Sequence, residues 1–452
     1  MTKCPKSMTG NDPVQIPFRR RCWVRKPLRV FFLSLRWKTA VVLFLSALLF
    51  LGGFPTHAVI AQDHHPCLRY ITSKEALLVA DPAGNLLLQQ NAARPFIPAS
   101  TLKILTALSA LHYLGPDYRF KTEFYSDQEG NLKVKGYGDP LFISEAIQDM
   151  ADAIAKRLTG FKDLVIDRTY FAPGIIIPGQ GRSTNPYDAP VGALCANFNT
   201  VRFYRNRHGN MVSSEPQTPL TPFAKAKIRC LNVQQGRHVF SHNGEDAAHY
   251  AGALLLHFLT ARGVRHTDQI RFGALSAQDT LLYRYQSVFT LDQVLEKMLA
   301  FSSNFIANQI VIAVGAQVYG PPGSLQKGVK ALRVYTKRHL PPNTIHLQEG
   351  SGLSRENRVS ARDMLTILKK FKPHRRLLPA EDGLLYKTGS LRGIRTRAGY
   401  IEHGPLAPGY FVISLSRNGK RVDDLMDCIR KSFTSGYGDS EAVYKTPAHE
   451  LR

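Results

Sequence analysis

This chain of 452 residues lacks the sequence features of several large functional classes. It has no Gly-x-x-x-x-Gly-Lys-Ser/Thr segment, which would bind nucleotide phosphates, and no Cys-x-x-Cys or Cys/His spacing typical of a metal site. Internal repeats and low-complexity tracts are also absent. The sequence therefore favours neither a phosphate-loop protein nor a structural metalloprotein, and we expect the activity to need no cofactor and no metal.

Acidic residues are scarce, since 34 Asp and Glu stand against 59 Lys and Arg, for a formal net charge of +25. A strongly basic chain often binds nucleic acid. Here the basic residues are dispersed, and no segment resembles a module that reads DNA or RNA. We therefore expect no nucleic-acid partner, and we expect the positive charge to favour an anionic surface or polymer.

Charge is absent from an apolar run between Thr39 and Phe54, which follows a strongly basic segment. The small residues that end at Ala61 indicate an export signal cleaved after that residue. The same run extended to Ala61 is long enough to span a bilayer, so an uncleaved anchor with a cytoplasmic basic tail is the alternative. Both interpretations place residues 62–452 outside the cytoplasm, and the anchor would make the membrane a partner.

Cysteine is sparse, with six residues in total, and Cys4 and Cys22 precede the apolar run. The other four follow it, on the exported side where disulfide bonds persist; they are Cys67, Cys195, Cys230 and Cys428. Four cysteines allow three full pairings, and the sequence does not choose among them.

The segment with the most chemical content is Ser100-Thr101-Leu102-Lys103. Apolar residues recur at helical spacing from Leu102 to Leu114, so the spacing predicts a helix that ends before Gly115-Pro116. Residues three positions apart share one helix face, which brings the Lys103 amine beside the Ser100 hydroxyl. This arrangement can make a serine nucleophile with its own base, although a serine at a helix start is more often an N-cap and the lysine solvated.

Two later segments carry residues suited to the same chemistry. Residues 301–305 interrupt a helical stretch with a polar cluster, so that the Ser302 hydroxyl and the Asn304 amide can face a cleft. The Lys387-Thr388-Gly389 triplet occurs once, on a predicted strand where the glycine lets a substrate backbone approach closely. Taken singly, these segments fit an ordinary polar turn and an edge strand with a solvated lysine.

The order of the three segments is that of the penicillin-recognising acyl-serine enzymes, in which a nucleophile helix, a Ser/Asn cluster and a Lys-Thr-Gly strand follow one another. Ser324-Leu325-Gln326-Lys327 has the spacing of the first segment, but it follows the Ser/Asn cluster. We therefore interpret Ser324 as a helix cap.

Further segments resemble the D-alanyl-D-alanine carboxypeptidases of the penicillin-binding protein 4 type, which are class C low-molecular-mass penicillin-binding proteins (peptidase S13). They are Gly350–Ser360, with the sequence GSGLSRENRVS, Asn185–Pro190 and Gly138–Pro140. The interval between Ser100 and Ser302 is more than twice that between Ser302 and Lys387, as the inserted domain of that family requires. The resemblance covers roughly residues 70–435.

This resemblance implies an α/β (α+β) penicillin-binding, serine β-lactamase-like transpeptidase fold, with an antiparallel sheet flanked by helices and an inserted mainly β domain. The expected organisation is a basic N-terminal segment (1–38), a signal peptide or membrane anchor (39–61), a catalytic domain (62–117 and 286–434), an inserted domain (118–285) and a C-terminal tail (435–452).

The resemblance also implies a function: a penicillin-sensitive, serine-type D-Ala-D-Ala carboxypeptidase in the periplasm or on the outer face of a bacterial inner membrane. Its partners would be peptidoglycan stem peptides ending in D-Ala-D-Ala, and β-lactam inhibitors. Ser100 would be the nucleophile, Lys103 the acylation base and Ser302 a proton relay. The substrate would be bound by Asn304, Lys387, Thr388, Gly389 and Ser390.

Three further functions remain open. The same mechanism would also support a DD-endopeptidase, because a cross-linked peptide presents a similar D-amino-acid bond. The alternatives are a β-lactamase and a catalytically idle, membrane-anchored module that binds the cell wall.

Overall fold

A computed structural model describes residues 65–231, 233–416 and 419–434. The predicted basic segment (1–38), export signal or anchor (39–61) and C-terminal tail (435–452) lie outside the described residues. Within the described part, no helix combines the length and the apolar character needed to cross a bilayer.

Helices and strands alternate along the described chain. The helices are α1 (Lys103–Leu114), α2 (Ser144–Ala155), α3 (Pro222–Arg229), α4 (Gly244–Thr260), α5 (Leu291–Ala300), α6 (Asn304–Tyr319), α7 (Leu325–His339), α8 (Ala361–Phe371) and α9 (Gly419–Phe433). The strands are β1 (Ala76–Ala80), β2 (Leu86–Gln90), β3 (Pro95–Phe96), β4 (Lys121–Ser126), β5 (Leu132–Gly136), β6 (Leu164–Asp167), β7 (Thr200–Arg205), β8 (Met211–Ser213), β9 (Gly236–Val239), β10 (Ile270–Phe272), β11 (Thr280–Gln286), β12 (Val359–Ser360), β13 (Ala380–Glu381), β14 (Leu384–Leu391), β15 (Ile394–Ile401) and β16 (Gly409–Leu415).

The main sheet is antiparallel, with the strand order β13-β14-β15-β16-β1-β2. Strands β1 and β2 form an antiparallel hairpin. Strand β1 is buried along its whole length, because its alternate side chains enter two different hydrophobic clusters. Leu78 packs in the cluster that contains α1, and Leu77 packs on the opposite face with residues of α9.

The face of the sheet that carries the candidate site is covered by helices, with α1 at the centre of the largest hydrophobic cluster. Helix α6 packs against α1 and is buried continuously from Phe305 to Ala316. A helix that is apolar on all sides is stable only inside such a bundle. The first turns of α1 and α6 are therefore held rigidly beside each other.

Between α1 and α5 the chain forms two further sheets, in the orders β10-β6-β5-β4-β11 and β8-β7-β9. A second hydrophobic cluster, with members from Phe124 to Tyr285, lies among these strands and α2, α3 and α4. The structure corrects the expected mainly β character of this segment, because three helices pack with its strands. Helix α4 shows the reason: Ala247, Ala251 and Leu254 recur at helical spacing and are buried.

One disulfide bond is present in the described chain. It joins Cys67, in the 3-10 helix Pro66–Tyr70, to Cys428 in α9, across a sequence separation of 361 residues. Cys195 is buried and free, and Cys230 is exposed and free. Each of the three full pairings that the sequence left open has two disulfide bonds, and the fold forms only one bond, that between Cys67 and Cys428.

Candidate active site

Ser100 lies in the short 3-10 helix Ala99–Leu102, which continues directly into α1. The preceding residue, Ala99, is fully buried and has a φ of 49°, in the left-handed region that non-glycine residues seldom adopt. Such a conformation costs about 1–3 kcal/mol and persists only where the surroundings enforce it. The backbone thus turns sharply just before Ser100 and directs its side chain toward Lys103.

The Lys103 side chain is fully buried, and its amine has three hydrogen-bond partners. Nζ lies 3.0 Å from Ser100 Oγ, 2.8 Å from Asn304 Oδ1 and 2.8 Å from the backbone oxygen of Ser351. Burial first, and then the positive charge of Lys387, lower the pKa of Lys103 to about 7, although the Glu349 carboxylate acts in the opposite direction. A substantial fraction of this amine is therefore neutral near neutral pH.

The chemistry of these three partners fixes what a neutral amine can do. Asn304 Oδ1 and the Ser351 carbonyl only accept hydrogen bonds, so they take both N–H groups of the neutral amine. The remaining lone pair faces Ser100 Oγ, whose hydroxyl then donates to Nζ. This is the geometry that a serine nucleophile with a lysine base requires.

Ser302 and Asn304 lie where α5 ends and α6 begins. Ser303 provides the N-cap of α6 by accepting from the backbone N–H of Ile306, which leaves Ser302 free of that task. Ser302 has a φ of 54°, and its hydroxyl has no hydrogen-bond partner among the described residues. The structure therefore brings Asn304 into contact with Lys103. Ser302 lies two residues before Asn304, and among the described residues it makes no hydrogen bond with Ser100 or Lys103.

Lys387 lies on β14, is 2% exposed, and has its pKa lowered to about 8 by burial and then by Arg397. No hydrogen bond or ion pair of the described residues involves its ammonium group. Thr388 and Ser390 alternate with it along the strand, are exposed, and have hydroxyls without a partner in the same described part. From Lys387 onward β14 pairs with β15 on one side, and its other edge carries no described strand.

Gly389 lies directly against the nucleophile segment. A Cβ atom at this position would lie 2.1 Å from Thr396 Oγ1, 2.9 Å from the Pro98 oxygen and 3.0 Å from the Ser100 nitrogen. The Thr396 hydroxyl donates to the same Pro98 oxygen at 2.7 Å, which ties β15 to this turn. The absence of a side chain at Gly389 thus allows the strand to approach the Ser100 backbone N–H.

Ser324 and Lys327, which share the spacing of Ser100 and Lys103, do not form a nucleophile–base pair. Ser324 Oγ accepts from the Lys327 backbone N–H as the N-cap of α7, and Lys327 Nζ donates to the backbone oxygens of Gly320 and Pro322. The interpretation of Ser324 as a helix cap is confirmed.

Sequence reasoning missed the role of the segment from Glu349 to Ser354. The Gly350–Ser360 segment carried the family resemblance, but no contact with the site was predicted for it. Its Ser351 carbonyl holds Lys103, and Gly352 lies so close to Ala99 that a Cβ would be 1.8 Å from the Ala99 oxygen. A backbone carbonyl leaves no signal in side-chain identity, so spacing alone could not reveal this contact.

A candidate metal cluster in the described chain is formed by His65, Cys67 and Cys428, whose ligand atoms lie within 4.8 Å of one another. Both cysteines are joined in the disulfide bond and so offer no thiolate. This group of residues therefore does not fit a metal ion.

Comparisons with known proteins agree with one another. The profile of the D-Ala-D-Ala carboxypeptidase 3 (S13) family matches residues 72–235 and 227–384, which include Ser100, Ser302 and Gly350 and stop just before Lys387. The chain is 24% identical over 389 residues to the D-alanyl-D-alanine carboxypeptidase DacB of Haemophilus influenzae, covering 70% of this chain and 80% of that protein.

Solved structures show the same likeness. The crystal structure of penicillin binding protein 4 (dacB) from Haemophilus influenzae matches with a TM-score of 0.65 and 21% identity, over 78% of this chain and 93% of that one. The structure of that protein complexed with a novel β-lactam matches with a TM-score of 0.62 and 19% identity, over 81% and 98% of the two chains. The penicillin-binding fold expected from the sequence is therefore confirmed.

Proposed function

This chain belongs to the D-Ala-D-Ala carboxypeptidase 3 (S13) family and is a serine-type hydrolase of that class, and from this premise we propose that Ser100 is its nucleophile and Lys103 its acylation base. One observation carries the proposal: the buried Lys103 amine is held between two obligate acceptors with its third position at Ser100 Oγ. The arrangement activates the hydroxyl without histidine or metal.

In the proposed acylation step, the Ser100 oxygen attacks the carbonyl carbon of the penultimate D-Ala while its proton passes to Lys103. The C–N bond to the terminal D-Ala then breaks, and the leaving nitrogen takes a proton from the site, with Ser302 as the relay. Water later attacks the acyl-enzyme ester and releases the shortened peptide. The steps use only the Ser100, Lys103 and Ser302 side chains and water.

Substrate recognition in this proposal uses the unpaired polar groups of the site. The Lys387 ammonium, with no carboxylate partner among the described residues, suits the terminal carboxylate of the substrate, assisted by the Thr388 and Ser390 hydroxyls. Asn304 accepts from Lys103 through Oδ1, which leaves its Nδ2 free to donate to a substrate carbonyl. The backbone N–H groups of Ser100 and Ser390 would stabilise the oxyanion. Gly389 makes this arrangement possible because, without a side chain, it lets β14 lie close to the Ser100 backbone.

The substrate class sets the expected partners and location. A stem peptide ending in D-Ala-D-Ala lies in the cell wall, so the protein would be exported, either free in the periplasm or held at the outer face of the inner membrane. The disulfide bond between Cys67 and Cys428 supports an oxidising compartment. Cleavage of cross-links by the same residues is part of the proposal.

The proposed domain limits, with residues 62–117 and 286–434 as the catalytic part and 118–285 as an insert, are supported by the hydrophobic clusters. One cluster holds residues only between Phe124 and Tyr285. The largest cluster contains α1 together with α5 to α8, although insert residues such as Phe171 and Val191 also pack in it. The insert therefore shares part of its core with the catalytic part.

The first test is labelling of the purified protein with a fluorescent penicillin. We expect the wild type to be labelled, Ser100→Ala to be unlabelled, and Ser324→Ala, the matched control at the second Ser-x-x-Lys site, to be labelled like the wild type. Release of D-Ala from a D-Ala-D-Ala peptide should fall roughly a thousandfold or more in Ser100→Ala. A folded wild type that takes no label would exclude the mechanism and favour the idle wall-binding module.

The same experiment distinguishes the proposed carboxypeptidase from the remaining alternative, a β-lactamase. A β-lactamase hydrolyses its acyl-enzyme rapidly, so the label would disappear within a normal incubation. A carboxypeptidase of the proposed kind keeps the label and turns over the peptide instead.

A further inference from the structure

Glu349 is a fully buried carboxylate beside the Ser100–Lys103 pair, and the proposed mechanism gives it no role. Its two oxygens accept six hydrogen bonds. The donors are the backbone N–H groups of Ser351, Gly352 and Ser354, the Ser351 hydroxyl, and the side-chain amides of Asn308 and Asn357. All six donors are neutral, and none of the ion pairs of the described residues includes Glu349.

The loop that Glu349 organises, Gly350–Ser354, is the loop that contacts the catalytic pair. Its Ser351 carbonyl accepts from Lys103 Nζ at 2.8 Å. Gly352, with a φ of +83°, packs against the Ala99 oxygen and the Ser100 nitrogen. Three backbone N–H groups of this loop point inward to the carboxylate, which turns the Ser351 carbonyl outward toward the amine.

Two helices fasten the same loop one turn beyond their contacts with the amine. On α1, Thr106 lies three residues after Lys103, and its hydroxyl donates to the Gly350 oxygen at 2.6 Å. On α6, Asn308 lies four residues after Asn304, accepts from the Gly350 N–H at 3.0 Å and donates to Glu349 at 3.3 Å. Residues at these spacings share a helix face. One face of α1 therefore carries the amine and binds the loop, and one face of α6 binds both the amine and the loop.

We propose that Glu349 is a positioning residue for the acylation base: its carboxylate shapes the Gly350–Ser354 loop so that the Ser351 carbonyl holds the Lys103 amine against Ser100, and its negative charge opposes the effect of the Lys387 charge on that amine. This inference rests on the proposed role of Lys103. In this proposal Glu349 acts only through Lys103 and contacts neither the substrate nor the reacting atoms.

The charges around Lys103 give the inference a measurable consequence. Lys387 faces it from β14 and lowers its pKa, Glu349 faces it from the loop and raises its pKa, and α6 presents the neutral Asn304 and Asn308. Removing the Glu349 charge should therefore lower the pKa of Lys103, so that the amine stays neutral at a lower pH. The low-pH arm of the pH–rate profile (the acid limb) would then move to lower pH. A variant whose loop is merely damaged would react more slowly, but its acid limb would not move to lower pH.

The test is the rate of Ser100 acylation by a fluorescent penicillin, measured from pH 5 to pH 9 with the full chain. For Glu349→Gln we expect the acid limb to move about one unit toward lower pH and the plateau rate to fall about tenfold or more, because an amide cannot accept from all six donors. Glu349→Asp keeps the charge but not the reach, so its acid limb should stay near that of the wild type while its plateau rate falls.

Glu75→Gln is the matched control. Glu75 is also buried and accepts from the Thr72 N–H, the Ser416 N–H and hydroxyl, and Arg421, but it is not among the charges that act on Lys103. Its acid limb should coincide with that of the wild type.

If the wild type is acylated at Ser100 but the acid limb of folded Glu349→Gln stays in place or moves to higher pH, this inference is overturned and the proposed function is intact. If Glu349→Gln does not fold, a Glu349→Asp variant as fast as the wild type overturns it. A wild type that is not acylated at all overturns both.

Discussion

Lys103 and Lys387 are two buried amines of the candidate site, and neither has a carboxylate partner among the described residues. Burial penalises the charged form of each; the Lys387 charge further lowers the pKa of Lys103, and the Arg397 charge further lowers that of Lys387. The pKa of Lys103 is lowered to about 7 and that of Lys387 to about 8. Between these values Lys103 is mostly neutral and Lys387 mostly charged, which is the combination that a base and a carboxylate-binding cation require.

The pH dependence follows from these two groups. We expect kcat/KM for a D-Ala-D-Ala peptide to rise with pH as Lys103 loses its proton near pH 7 and to fall as Lys387 loses its charge near pH 8. Lys387→Met removes the cation that lowers the Lys103 pKa, so the acid limb should move to higher pH. The loss of a charge-assisted contact with the substrate carboxylate should also cost roughly 10- to 100-fold in kcat/KM.

Lys327→Met is the control for this prediction, because Lys327 donates to backbone oxygens beside α7 and does not act on Lys103. Its pH profile should match that of the wild type. An acid limb that stays in place or moves to lower pH in Lys387→Met would contradict the electrostatic argument.

At the scale of elements, the site depends on how closely β14 approaches the 3-10 helix that carries Ser100. The contact is backbone against backbone, with Thr396 of β15 tied to Pro98 by a hydrogen bond. Helices α1 and α6 pack against each other and bring Lys103 Nζ within 2.8 Å of Asn304 Oδ1. The cleft is thus formed by the ends of elements whose remaining length is buried core.

Gly389→Ala tests this approach. The added Cβ would lie 2.1 Å from Thr396 Oγ1, so the strand must move away from Ser100. We expect a loss of about 1–3 kcal/mol in the free energy of unfolding and about a hundredfold slower acylation by penicillin, because an oxyanion donor is displaced.

Gly244→Ala is the matched control, since a Cβ there meets nothing within 4 Å at the start of α4. Chemical denaturation and acylation kinetics should leave this variant indistinguishable from the wild type. Normal acylation by Gly389→Ala would show that the close approach is not needed.

For the whole molecule, the fold joins distant parts of the chain. Strand β1 pairs with β16, and the disulfide bond between Cys67 and Cys428 fastens the first described helix to α9 on the face of the sheet away from Ser100. The largest hydrophobic cluster combines residues from before and after the insert. The residues of the candidate site therefore come together only through long-range contacts.

The double variant Cys67→Ser/Cys428→Ser should lower the free energy of unfolding by about 2–4 kcal/mol, because the bond restricts a very long loop in the unfolded chain. Penicillin acylation at 25 °C should be retained, since the bond lies in a different cluster from Lys103. Denaturation of the oxidised wild type, the double variant and Cys230→Ser would measure this, with the exposed, free Cys230 as the control. Equal stability of all three would contradict the prediction.

Local interactions made much of the structure predictable from the sequence. Apolar spacing identified α1, the β1–β2 hairpin joins strands that are neighbours in the chain, and α5 begins with a capping box at Thr290. The helices of the insert were missed because turn-rich segments flank them. These features depend on residues a few positions apart, whose effect on the backbone is direct.

The sequence by itself determined the order and spacing of the Ser-x-x-Lys, Ser-x-Asn and Lys-Thr-Gly segments, and with them the family and the pairing of Ser100 with Lys103. Only the tertiary structure decided which cysteines pair, how far the Lys103 amine is desolvated, and that Glu349 lies beside it. The physical reason is distance along the chain: Lys103 meets Asn304 and Ser351 across 201 and 248 residues. Burial and charge at that amine are properties of the assembled fold, which no local spacing encodes.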